Sequence, residues 1–219
     1  MKRVGVVLCG CGRFDGSEIH ESVLTLLHLQ RGGARPLCMA PDAEQWAVCD
    51  HFNGEPQGGA ARNMLQEAAR IARGDIVALG SLGAEDIDAL ILPGGTGATR
   101  NLCDFKEKGP QARVRPELAA LIREVHAARK PIGAICIAPV LVALVLGEKK
   151  PLLTLGKMNR SAEKASVHGA RFVPCATESV VVDEENRIVS TPAYVTARHI
   201  GEADAGIARL VAEVLRRTE

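Results

Sequence analysis

Cys136 is the residue whose surroundings in the sequence best suit covalent chemistry. It lies in the segment 133–139 (GAICIAP), between a short apolar run and a helical pattern. Small neighbours leave room for a sharp strand-to-helix turn, on which a nucleophile projects from the backbone. A helix N-terminus stabilises a thiolate, so this placement predicts a lowered thiol pKa. A small cysteine buried in an apolar strand would show the same pattern.

A glycine pair, Gly94-Gly95, follows another apolar run and Pro93. Without side chains, the backbone N–H groups at such a pair can approach a ligand closely. The N–H groups of Gly95 and Ile137 could together form an oxyanion hole beside the Cys136 thiol. A tight turn after the strand explains the glycine pair equally well.

Two carboxylates, Glu18 and Glu21, fall in the segment 15–21 (DGSEIHE), where a helical pattern begins. A carboxyl group there can move protons for a nucleophile on a neighbouring turn. Acidic residues also suit the first turn of any helix, because they interact favourably with its dipole. The residues alone therefore leave both interpretations open.

The remaining candidate residues carry weaker signals. Four histidines lack the sequence context of a catalytic base and are interpreted as surface or packing residues: His20, His28, His168 and His199. Cys9 and Cys11 suggest a metal, but no further ligands follow at a spacing typical of zinc sites. We therefore expect no metal and no cofactor.

Strand and helix patterns alternate along the chain. Apolar runs predict buried strands at 4–8, 35–39, 89–92 and 131–135, and helical spacing predicts helices over 19–30, 61–73 and 116–128 and from 200 onward. This alternation predicts one α/β domain over 1–219, with a mostly parallel sheet covered by helices on both faces. In such sheets ligands bind beyond the carboxyl ends of the strands, where the candidate segments fall. The polar segment 104–115 is expected to be an exposed, mobile loop.

Composition narrows the classes of partner. With 27 basic and 26 acidic residues the net charge is +1, and no basic cluster is interleaved with aromatics, so we expect small neutral substrates rather than nucleic acid or a membrane. The longest apolar run, 135–146, contains Pro139 and is too short to span a bilayer. The seven cysteines lack paired spacing, which favours reduced thiols, and the N-terminus lacks an apolar leader. We therefore expect a cytoplasmic protein.

Taken together, these segments resemble the PfpI/ThiJ superfamily of class I glutamine amidotransferase-like proteins, and within it the ElbB branch of isoprenoid biosynthesis proteins. The matching segments are 15–21 (DGSEIHE), 62–74 (RNMLQEAARIARG), 92–97 (LPGGTG), 101–102 (NL), 135–139 (ICIAP) and 181–194 (VVDEENRIVSTPAY). The resemblance implies a flavodoxin-like three-layer sandwich with a nucleophile elbow, and a homodimer. It also implies a carboxyl group that approaches the elbow cysteine, and Glu21 rather than Glu18 occupies the matching position.

The resemblance to the ElbB branch further implies a glutathione-independent glyoxalase that acts on small 2-oxoaldehydes such as glyoxal and methylglyoxal, with a link to isoprenoid production. Cys136 would form a hemithioacetal with the aldehyde carbon. Glu21 would then shuttle a proton, and the N–H groups of Gly95 and Ile137 would bind the oxyanion.

Two other functions are compatible with the same cysteine. An oxidisable Cys136 beside an acidic neighbour would suit a redox-responsive regulatory or binding protein. A glutaminase subunit is disfavoured, because amidotransferases of this class complete the cysteine with a His-x-Glu pair. Here His168 is followed by Gly169-Ala170.

Overall fold

Strands and helices alternate along the chain in a computed structural model, which describes residues 1–59 and 61–218. The strands are β1 (Arg3–Val7), β2 (Arg35–Ala40), β3 (Ile76–Ala78), β4 (Ala89–Leu92), β5 (Ile132–Ile135), β6 (Leu152–Leu153), β7 (Arg171–Phe172), β8 (Val181–Asp183) and β9 (Ile188–Thr191). The α-helices are α1 (Ile19–Arg31), α2 (Met64–Ala72), α3 (Thr96–Arg100), α4 (Phe105–Lys108), α5 (Pro116–Ala127), α6 (Pro139–Leu146), α7 (Arg160–Ser166) and α8 (Ile200–Arg216).

Seven of these strands form one twisted sheet in the order β3-β2-β1-β4-β5-β9-β8. Every pairing in it is parallel except that of β8 with β9 at one edge. The predicted α/β class with a mostly parallel sheet is therefore confirmed. The chain does not form a single sheet, however, because β6 and β7 pair separately in a small two-stranded sheet.

Helices cover both faces of the large sheet, as the three-layer prediction requires. On one face α1, α2 and α8 pack over an apolar cluster that includes Ile91, Ile135 and Leu210. On the other face α5 and α6 pack over a cluster that includes Leu90 and Leu141. All residues of β4 and β5 are buried, which is typical of central strands covered on both sides.

The strand order places the segments with candidate chemistry at one edge of the sheet. The chain runs outward from β1 to β2 and β3, then returns to pair β4 with the other side of β1. The order of strands therefore reverses between β1 and β4, the kind of position where open α/β sheets bind ligands. The loops after β1, β4 and β5 meet there.

The segment 104–115 is folded, in contrast to the exposed loop that we expected. It contains α4 and a 3-10 turn at Gly109–Gln111, and a bridge pairs Cys103 with Val114 at its base. Phe105 is only 5% exposed and joins the core cluster that includes Leu141, so one aromatic side chain anchors an otherwise polar stretch. In the described part of the chain, none of the helices is both long and apolar enough to cross a membrane.

Candidate active site

Cys136 lies on a strained turn between β5 and α6. Its backbone φ is 60°, a left-handed value that is costly for a residue with a side chain and that recurs at active sites. Its N–H donates to the carbonyl of Thr191 at 2.9 Å, which ties the turn to β9. The side chain is only 9% exposed. The turn has the geometry expected of a nucleophile elbow.

Glu21, in the first turn of α1, is completely buried beside this thiol. Its Oε2 accepts a hydrogen bond from the N–H of Gly94 at 2.9 Å, and its Oε1 accepts one from the N–H of Tyr194 at 3.3 Å. The carboxyl group also lies beside the thiol, since a Cβ on Gly94 would be 2.7 Å from Oε2 of Glu21 and 3.0 Å from Sγ of Cys136. Glu18 instead caps α1, where its carboxylate accepts from the N–H of Glu21 at 2.8 Å.

Burial controls the protonation of both groups. It raises the pKa of Glu21 to about 7, and the charge of Glu18 adds to the effect. Burial, followed by the charge of Glu21, raises the pKa of the Cys136 thiol well above its usual value. The N–H groups of Gly95 and Ile137 hydrogen-bond to Cys136 and lower its pKa, but by less. The prediction of a lowered thiol pKa is therefore wrong for the free protein.

The glycine pair after β4 lets three chain segments approach closely. A Cβ on Gly94 would lie 2.5 Å from Cβ of Cys136 and 2.7 Å from Oε2 of Glu21. Gly95 has a φ of 99°, and a Cβ there would lie 2.5 Å from the backbone nitrogen of Glu18. The pair is therefore more than a turn, because a side chain at either position would displace the groups around the thiol.

The thiol opens onto a cavity of about 930 Å³. His20 and Tyr194 line it, and the Nδ1 of His20 lies 2.7 Å from the hydroxyl oxygen of Tyr194. The sequence led us to interpret His20 as a surface or packing residue, and Tyr194 was not among the predicted site residues. Tyr194 could have been found from the segment 181–194, which ends on this residue and is one of the segments that carry the family resemblance.

The other candidate residues from the sequence lie away from this cavity. Nε2 of His28 contacts Asp204 at 2.6 Å, His168 contacts the carbonyl of Pro110, and His199 caps α8. Cys9 contacts the Ser17 hydroxyl in the core. Among residues 1–59 and 61–218, no group of three His, Cys, Asp or Glu side chains is arranged to hold a metal ion.

Comparison with known proteins places this arrangement in a family. No family model matches the chain. The mitochondrial ES1 protein homolog of Rattus norvegicus is 41% identical over 225 residues, covering 99% of this chain and 84% of that protein. The mitochondrial glutamine amidotransferase-like class 1 domain-containing protein 3 of Homo sapiens is also 41% identical, covering 99% and 83%. This chain belongs to the ES1 family of class 1 glutamine amidotransferase-like proteins.

Solved structures confirm the fold of this ES1-family chain. An isoprenoid biosynthesis protein with an amidotransferase-like domain from Ehrlichia chaffeensis superposes with a TM-score of 0.93 at 34% identity, over 100% of both chains. DJ-1beta of Drosophila melanogaster, at 18% identity, has a TM-score of 0.58 over 99% of this chain and 95% of its own. The predicted flavodoxin-like fold of the PfpI/ThiJ superfamily is thus confirmed, and placement in the ElbB branch stays a prediction.

The expectation of a cytoplasmic protein is contradicted by these ES1-family relatives, both of which are named as mitochondrial. Unpaired cysteines distinguish a reducing compartment from an oxidising one, and they cannot single out the cytoplasm. That part of the sequence reasoning was therefore wrong.

Proposed function

We propose that this ES1-family protein is a glutathione-independent glyoxalase that converts small 2-oxoaldehydes to 2-hydroxy acids. The observation that carries the proposal is the close approach of a buried carboxyl, Glu21, to an elbow thiol, Cys136, at the bottom of an open cavity. The N–H groups of Gly95 and Ile137 also lower the pKa of this thiol, and they would bind an oxyanion that forms next to the sulfur.

The raised pKa values suit a thiol that is activated only when substrate arrives. Near neutral pH about half of the Glu21 side chains are carboxylates, since the pKa is about 7. Such a carboxylate can accept the thiol proton as sulfur adds to the aldehyde carbon and pass it to the aldehyde oxygen, which gives a hemithioacetal and restores the carboxylate. Glu21 then moves the proton of that carbon to its neighbour through an enediol, which leaves a thioester. Water hydrolyses the thioester to the 2-hydroxy acid and restores the thiol.

We also propose that this protein belongs to the ElbB branch and has a link to isoprenoid production. They are supported by the quoted sequence segments and by the likeness to the isoprenoid biosynthesis protein of Ehrlichia chaffeensis. Neither follows from the chemistry of the site.

The test is lactate formation from methylglyoxal without glutathione. Cys136→Ala should abolish turnover, and Glu21→Gln should lower kcat by about a hundredfold or more, the usual contribution of a proton-transferring group. Cys175→Ala is the matched control, because this free thiol does not line the cavity, and it should retain wild-type turnover. Turnover that survives in both Cys136→Ala and Glu21→Gln would refute the proposal.

A redox-responsive role for Cys136 is the alternative, and the raised thiol pKa weighs against it because the thiolate is the form that peroxide oxidises. Mass spectrometry after mild peroxide treatment distinguishes the two. If wild-type protein shows no methylglyoxal turnover and gains oxygen on Cys136 before the other six cysteines, the redox function replaces the enzymatic one.

A further inference from the structure

The cavity over Cys136 is strongly basic, although the whole chain carries a net charge of only +1. Five cationic side chains line it: Arg13, Lys106, Arg160, Lys164 and Arg198. Glu18 is the one acidic residue among the described residues that line it. The balanced charge of the sequence, from which we expected small neutral substrates, conceals this local excess of positive charge.

Three of these cations form a group that we call the rim: Lys106 of α4, and Arg160 and Lys164 of α7. Lys164 lies against Gly109, which directly follows α4, so the two helices are neighbours at the cavity. Within residues 1–59 and 61–218, no carboxylate forms an ion pair with any rim side chain. Arg198, in contrast, is held by Glu202 at 3.0 Å.

Unpaired cations converging on a cavity repel each other and attract an anion. Ligand cavities of about 300–1,000 Å³ hold molecules of drug-like size, so 930 Å³ far exceeds what methylglyoxal fills. We infer that the substrate of this site is an anionic carbonyl compound, a 2-oxoaldehyde that carries a phosphate group, with the phosphate bound by the rim. This inference rests on the proposed glyoxalase function for the reaction, and on the rim for the phosphate.

The reaction balances without a further reactant. The three-carbon 2-oxoaldehyde with a phosphate ester on carbon 3 would add the Cys136 sulfur at carbon 1, and the proton of carbon 1 would move to carbon 2 through Glu21. Hydrolysis of the thioester consumes one water and releases 3-phosphoglycerate, while the phosphate ester stays intact. The rim would hold that phosphate in both substrate and product, which makes the product a usable binding probe.

The experiment is isothermal titration calorimetry of the full chain with 3-phosphoglycerate and, separately, with glycerate, which lacks only the phosphate. The wild type should bind 3-phosphoglycerate at least tenfold more tightly than glycerate. Arg160→Gln, Lys164→Gln and Lys106→Gln should each weaken the phosphorylated ligand by about tenfold, the loss expected for one hydrogen bond between charged groups. Lys157→Gln is the control, because this exposed lysine precedes α7 and does not line the cavity.

Three results would overturn the inference. The wild type could bind the two ligands with equal affinity, it could fail to bind 3-phosphoglycerate, or Lys157→Gln could lose as much affinity for 3-phosphoglycerate as the rim variants do. Binding does not require turnover, so the two proposals fail separately. A protein that turns over methylglyoxal and does not prefer 3-phosphoglycerate would be a glyoxalase without a phosphate site. If the protein prefers 3-phosphoglycerate but turns over no 2-oxoaldehyde, the phosphate site is supported and the proposed glyoxalase reaction is refuted.

Discussion

The bottom of the cavity and the rim are built in opposite ways. The bottom, which we call the floor, consists of Glu21, Gly94 and Cys136, all buried, with the Glu21 carboxyl held by two backbone N–H groups beside the thiol. The rim side chains of Lys106, Arg160 and Lys164 reach solvent, and none pairs with a carboxylate in the described part of the chain. The floor is fixed in one geometry before substrate arrives, whereas the rim keeps its charges free.

This difference separates catalysis from recognition. A buried group in a defined hydrogen-bond network acts through position, and a displacement of about 1 Å can cost on the order of a hundredfold in rate. An exposed cation acts through charge, which tolerates movement but is screened by salt. Substitutions on the floor should therefore change stability and turnover together, and substitutions on the rim should change ligand affinity with little effect on folding.

Gly94→Ala should have the largest effect, because the floor has no space for a methyl group. The added Cβ would lie 2.5 Å from Cβ of Cys136 and 2.7 Å from Oε2 of Glu21, so one of these groups must move. We expect a loss of about 1–3 kcal/mol in the free energy of unfolding, typical of overpacking. We also expect a loss of at least about a hundredfold in kcat/KM for methylglyoxal.

Gly58→Ala is the matched control for this substitution. A Cβ at Gly58 would meet no atom within 4 Å, so the same chemical change should leave urea unfolding and turnover as in the wild type. Wild-type behaviour of Gly94→Ala would mean that the floor is less tightly built than its distances indicate.

The next effect concerns Glu21 and the pH dependence of stability. The folded pKa of about 7 lies above the ordinary value of 4.5, so the folded state holds a proton that the unfolded state releases between these pH values. The contribution of Glu21 to stability is therefore greatest below pH 4.5 and is lost as the pH rises through about 7. The expected loss is on the order of 3 kcal/mol, since one pKa unit corresponds to about 1.4 kcal/mol.

Because the side chain of Glu21→Gln cannot ionise, this variant should not lose stability between pH 4.5 and 7. The free energy of unfolding of the variant should therefore rise relative to that of the wild type as the pH increases. Denaturant unfolding from pH 4.5 to 8 measures the change. Glu124→Gln, at an exposed carboxyl of α5, serves as the control and should follow the wild type. A constant gap between wild type and Glu21→Gln would show that the buried carboxyl does not retain its proton.

Sequence reasoning located the floor better than the rim, for a physical reason. Cys136 and Glu21 of the floor, and Gly95 next to it, belong to local segments whose residue types are restricted by a strained turn, by close backbone approach or by a match to the family. The strands β4 and β5 that carry two of them were recognisable as apolar runs. β3 was missed, because it has three residues, none of them fully buried.

Two properties of the site could not be obtained from local sequence. The helix after Cys136 predicted a lowered thiol pKa, but burial and the charge of Glu21 outweigh the backbone N–H groups and raise it. The basic cavity is formed by residues as distant in sequence as Arg13 and Arg198, and a net charge of +1 for the chain conceals it. Both depend on which segments meet in space.

The smallest expected effect tests whether the rim contributes to folding, and α4 offers a matched pair of lysines. Lys108 pairs with Asp104 at 2.6 Å, whereas Lys106 of the rim has no carboxylate partner in the described part of the chain. Lys108→Gln should lower the free energy of unfolding by about 0.3–0.5 kcal/mol, as expected for an exposed pair four residues apart. Lys106→Gln should leave it unchanged or raise it slightly, because a charge that repels Arg160 and Lys164 is removed.

Urea unfolding of both variants at low and high salt measures this, and salt should remove the difference. A larger loss in Lys106→Gln than in Lys108→Gln would mean that the rim stabilises the fold, and the contrast between a structural floor and a recognition rim would fail.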